Sequence, residues 1–77
     1  MSKADEMFEE LGFKKEESRG IIFYYQLNYG DEKCGIEFWK YHKEIYPVCK
    51  GDEDEPISIT MQILQAINEK CKELGWL

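Results

Sequence analysis

The sequence predicts an α+β domain in which a helix at each end encloses a three-stranded antiparallel β-meander, with both helices on one face of the sheet. Three observations lead there. Leu11-Gly12-Phe13 and Leu74-Gly75-Trp76 each follow a stretch of helical period. A glycine just past a helix takes the left-handed cap without steric cost, and the apolar residue after it folds back onto the last turn. Between these two endings, the run Ile21 to Tyr29 alternates as a strand does. All 77 residues are expected in a single α-β-β-β-α domain.

In the first helix, Ser2 or a neighbour is the N-cap, and Asp5 and Glu6 lie in the positive first turn. Ala4, Met7, Phe8 and Leu11 fall at i, i+3, i+4 and i+7, which makes one buried stripe. Asp5, Glu6, Glu9 and Glu10 take the other face. Phe13 to Gly20 reads as a charged connection, with the start of a strand at Lys14 and Lys15 left open.

In the first strand, Ile21, Phe23, Tyr25, Leu27 and Tyr29 are wholly apolar or aromatic and are expected to face the helices. Ile22, Tyr24, Gln26 and Asn28 mix apolar with polar and are expected outside. Gly30 to Lys33 reads as a four-residue turn and Cys34 to Tyr41 as the second strand, with Cys34, Ile36 and Phe38 inward. That turn places Tyr25 opposite Phe38 and Leu27 opposite Ile36 on the inner face, and Tyr24 opposite Trp39 and Ile22 opposite Tyr41 on the outer one.

Glu44 to Lys50 is a third strand. Pro47 cannot donate to a ladder, so the strand belongs at an edge. Its facing is open between Tyr46 with Val48 and Ile45 with Cys49, the first pair being preferred. Gly51 to Pro56 is an acidic loop. Thr60 is the N-cap of the last helix, with Ile59 and Leu64 spaced for a hydrophobic staple. Ile63, Leu64, Ile67, Cys71 and Leu74 form its buried stripe. Glu69, Lys70, Lys72 and Glu73 read as its solvated face.

Composition narrows the function classes. Sixteen acidic against ten basic residues give a net charge of −6. Such a surface repels nucleic-acid phosphates and anionic membranes, which are bound by Lys and Arg. No apolar run approaches the length of a membrane span, and Met1 to Glu6 lacks the build of a signal peptide. The expected location is the cytoplasm. Cys34, Cys49 and Cys71 are odd in number and form no CxxC, so three free thiols are expected, with neither a disulfide framework nor a zinc site.

No catalytic, cofactor or metal motif stands out. Asp52-Glu53-Asp54-Glu55 lacks the spacing of a calcium loop and reads as solvated. His42, the one histidine, falls in an expected turn with no nucleophile beside it. The candidate interaction surface is instead the outer sheet face, with Ile22, Tyr24, Trp39 and Tyr41 as a contiguous aromatic patch. Exposed apolar patches mark contact surfaces, and Tyr and Trp are favoured anchors in them.

Two segments carry a resemblance. Ala4-Asp5-Glu6-Met7-Phe8-Glu9-Glu10-Leu11-Gly12-Phe13 is the first. The second is Ile59-Thr60-Met61-Gln62, continuing through Ala66-Ile67-Asn68-Glu69-Lys70-Cys71-Lys72-Glu73-Leu74-Gly75-Trp76. Together they resemble a family of small proteins encoded by phages and prophages of Firmicutes. The resemblance implies a phage or prophage origin and the host bacterial cytoplasm. It brings no activity, cofactor or site residues. Two functions are compatible with these residues. One is a non-enzymatic module that binds a host or phage protein, or a second copy of itself, through the aromatic sheet face or an open edge. The other is an acidic inhibitor that imitates nucleic acid on a host defence or DNA-processing protein.

Overall fold

The computed structural model describes residues 2–27, 32–50 and 57–77. The chain runs α1 (Lys3–Glu10), β1 (Lys14–Ser18), β2 (Ile21–Leu27), β3 (Lys33–Trp39), β4 (Glu44–Lys50) and α2 (Met61–Glu73). The four strands form one antiparallel meander in the order β1-β2-β3-β4. Phe8 of α1 and Ile63, Ala66, Ile67 and Cys71 of α2 share one core with Ile22, Tyr24, Ile36 and Phe38. Both helices therefore cover the same sheet face.

The caps are built as their residues dictate. Ser2 Oγ accepts from Asp5 N at 2.9 Å, and Thr60 Oγ1 accepts from Ile63 N at 3.2 Å. At the other ends, Gly12 and Gly75 have φ of 91° and 77°. Phe13 N donates to Phe8 O at 2.9 Å and Gly12 N to Glu9 O at 2.9 Å. Trp76 N donates to Cys71 O at 2.8 Å and Gly75 N to Lys72 O at 3.1 Å. These are paired Schellman bonds, which satisfy helix carbonyls that would otherwise be orphaned.

Phe13 to Gly20 is not merely a connection: it contains a fourth strand. Every β1 residue is exposed, so no apolar alternation betrays it. Its ladder to β2 is closed by a two-residue turn at Arg19 and Gly20, whose φ values of 53° and 79° define the left-handed hairpin that matches sheet twist.

The pairing of β2 with β3 also differs from the expected one. Leu27 lies opposite Lys33 rather than Ile36, a shift of three residues. An odd shift turns a strand over. Ile22 and Tyr24 therefore lie in the core, 3 % and 1 % exposed, whereas Ile21, Phe23, Tyr25 and Leu27 belong to the outer face. Gln26 also turns inward, where its Nε2 donates to Leu11 O at 2.9 Å and so satisfies a carbonyl at the end of α1. Cys34, Ile36 and Phe38 of β3 face inward as expected.

In β4, an edge strand as Pro47 requires, the preferred facing is reversed. Ile45, Pro47 and Cys49 pair with Phe38, Ile36 and Cys34 on the helix side, which leaves Tyr46 and Val48 outside. Cys34 and Cys49 are register partners and form a disulfide, so only Cys71 remains a free thiol, and it is buried. On α2, Leu64 is exposed and Lys70, expected in solvent, is buried. The Gly30-Asp31 part of the expected turn, the strand ends Asn28 and Tyr29, and the acidic loop 51–56 lie outside the described residues.

Gly35 sits opposite Tyr25, and a Cβ there would overlap the backbone carbonyl oxygen of Tyr24. Backbone cannot swing aside as a side chain can. Gly35→Ala is expected to destabilise the fold by about 1–3 kcal/mol, measured as a lowered urea midpoint. An unchanged midpoint would contradict this packing.

Candidate functional site

The helix-free sheet face is built from alternate residues of all four strands: Glu16 on β1, Ile21, Phe23 and Tyr25 on β2, Glu37 and Trp39 on β3, and Tyr46 and Lys50 on β4. Although no helix among the described residues covers it, this face hides much of its apolar surface. Lys33 Nζ lies 4.8 Å from the Tyr25 ring centroid and Lys50 Nζ 4.7 Å from that of Phe23. Long lysine stems cover apolar surface while their heads remain in water. Phe23 and Tyr25 are consequently only 4 % and 9 % exposed.

Each covering lysine is held by a carboxylate. Lys33 pairs with Glu16, and Lys50 Nζ lies 3.2 Å from Glu37 Oε2. Glu37 is buried between Phe23 and Tyr46, and its other oxygen accepts from Trp39 Nε1 at 3.3 Å. The lysines on this face are thus neutralised locally rather than presented to phosphates.

The open apolar surface lies at one end of the sheet. The Trp39 ring packs edge-on against Tyr46 at 5.3 Å and His42 at 5.8 Å. Ile21 is the register partner of Trp39. A depression of about 100 Å³ beside them is lined by Arg19, Gly20, Ile21, Trp39, Lys40, Tyr41 and His42. Of the four residues expected to form one patch, Trp39 and Tyr41 meet here, whereas Ile22 and Tyr24 are in the core. Ile21 and Tyr46 take their places. An outward Tyr46 belongs to one of the two facings open to its strand, while nothing in the alternation of β2 marks Ile21 as an outward residue.

A second cluster joins the helices to the sheet. The Tyr24 hydroxyl donates to Asp5 Oδ1, Lys15 Nζ donates to Asp5 Oδ2 at 3.0 Å, and Lys70 Nζ stands 3.5 Å from both Asp5 Oδ1 and Glu73 Oε1. Glu73 Oε2 accepts from Ala4 N at 2.9 Å, so α2 satisfies an orphan amide at the start of α1. Burial opposes ionisation of Asp5, but hydrogen bonds from Tyr24 and Lys15 and the charges of Lys70 and Lys15 outweigh it and lower its pKa to about 2. Burial, followed by the hydrogen bond to Asp5, pushes the Tyr24 phenol well above its usual value.

An acid this strong and a phenol this weak are both far from the range useful for proton transfer near neutral pH. The arrangement ties α1 and α2 to β1 and β2. No protein-family model matches this chain, and neither does any curated protein or solved structure.

Because Asp5 is more acidic in the folded chain, its contribution is fully present above the ordinary carboxyl range and is lost as pH falls from about 3.8 toward about 2. The stability difference between the wild type and Asp5→Asn should therefore shrink over that interval in urea unfolding. A difference independent of pH would show that ionised Asp5 contributes nothing.

Proposed function

We propose that this chain is a small, non-enzymatic protein-interaction module of phage or prophage origin, acting in the host bacterial cytoplasm and binding a host or phage protein through the Trp39 end of its helix-free sheet face. The observation that supports this most is the grouping of Ile21, Trp39, Tyr41 and Tyr46 beside the depression at that end. Tyr41 is 85 % exposed and Tyr46 38 % exposed, so the surface offers large rings with polar tips to a partner.

Charge supports a protein rather than a nucleic acid as partner. The net charge is −6, and the lysines covering this face are paired with Glu16 and Glu37. The phage origin rests on the likeness of the two helical ends. Among the described residues no helix is long and apolar enough to cross a membrane.

The test is affinity capture from nuclease-treated lysates of uninfected and infected host cells, with two surface variants alongside. Trp39→Ala/Tyr46→Ala should lose the specific partner, whereas Met61→Ser/Leu64→Ser, on the exposed side of α2, should keep it. Loss in the α2 variant alone would move the interface to the helices. Loss only at raised salt, with the Trp39/Tyr46 variant unaffected, would favour nucleic-acid mimicry.

A further inference from the structure

Glu32, Cys34 and Cys49 bring one carboxylate and two sulfurs together at one end of the sheet. Their ligand atoms all lie within 4.8 Å of one another. Glu32 immediately precedes β3, two residues before Cys34, and Cys49 is the register partner of Cys34 on β4. The Cα atoms of the two cysteines are 4.0 Å apart. Cys34 is buried, while Cys49 and Glu32 are half-buried and leave an approach from solvent.

We propose that reduction of the Cys34–Cys49 disulfide creates a site for a thiophilic divalent cation, zinc in particular, held by the two thiolates and the Glu32 carboxylate. This reading is independent of the partner surface at the Trp39 end. Two sulfurs at about 2.3 Å from a tetrahedral zinc stand about 3.8 Å apart, and a carboxylate oxygen binds at about 2.0–2.2 Å. The Glu32 carboxylate already lies within 4.8 Å of both sulfurs, and reduction has only to let the sulfurs part to that spacing.

The steps balance. A dithiol reductant gives two electrons and two protons to the Cys34–Cys49 bond, which becomes two thiols while the reductant closes to its own disulfide. The cation then displaces both thiol protons to solvent and binds two thiolates. Three protein ligands leave the fourth tetrahedral position to water or an external group. The disulfide and the bound ion exclude each other, and either one ties β3 to β4. A motif search misses the site because its two sulfurs come from cysteines 15 residues apart, joined only by the ladder.

Cobalt(II) is the probe. The full chain, reduced and freed of reductant under anaerobic conditions, should develop thiolate-to-cobalt charge-transfer absorption that saturates at one ion per chain and is displaced by zinc; the oxidised chain should not. Cys34→Ser and Cys49→Ser should abolish the absorption, Glu32→Gln should weaken binding by at least about tenfold, and Cys71→Ala should leave it unchanged. Because Cys34 is buried, wild-type protein supplies a second readout that needs no variant: zinc should protect Cys34 and Cys49 from alkylation, mapped by mass spectrometry. Absent absorption in the reduced chain would overturn the site, as would absorption that survives loss of either paired cysteine, indifference to Glu32→Gln, dependence on Cys71, or lack of zinc protection.

Discussion

The phenol of Tyr24 donates to Asp5 while its ring stacks on Phe8, the centroids 3.9 Å apart and the planes within 11°. These contacts hold the even-numbered residues of β2 toward the helices. Asp5 in turn binds Lys15 of β1 and lies beside Lys70 of α2, so one side chain from β2 organises both helices and the neighbouring strand. Asp5 is half-buried and Lys70 buried, so removing one partner leaves the others poorly compensated. Gly35 is the complementary requirement on the sheet side, since only a residue without a Cβ lets β3 close on β2 at Tyr24.

Once Tyr24 is inside, the character of the opposite face follows. Phe23 and Tyr25 must point away from the helices, and lysines from β3 and β4 lie across them. Glu16 and Glu37 fix those lysines. A small sheet without a second helical layer thereby shields its outer rings with methylene stems, and its ungreased end at Trp39 is left with the larger exposed rings. Stability and presentation of a surface are two consequences of one choice of strand facing.

The helix ends were legible because their signals are local. Ser2, Thr60, Gly12 and Gly75 act on backbone groups within a few residues, and each appears where its chemistry requires. Pro47 placed its strand at an edge for an equally local reason. The facing of β2 was not legible because Ile21 to Tyr25 is apolar on both sides, so alternation could not select a face. Gln26 looked like an outward residue, yet its inward position answers a carbonyl of α1, a tertiary fact. Strand β1 carries only charged and polar side chains, and its identity lies in a ladder that composition does not reveal. The turned-over β2 takes Ile22 and Tyr24 off the candidate surface, whereas Trp39 and Tyr41 stay on it because their placement is independent of the facing of β2. The Cys34–Cys49 pairing likewise needed the β3–β4 register.

The facing of β2 is the claim on which the core, the outer face and the proposed binding surface all rest. Proton–proton nuclear Overhauser effects among the aromatic rings in solution test it directly. The structure predicts cross-peaks from Tyr24 to Phe8 and Phe38 and from Trp39 to Tyr46, with none between Tyr24 and Trp39. Cross-peaks joining Tyr24 to Trp39, with Tyr25 instead contacting Phe38, would show that β2 is turned over and would contradict the account.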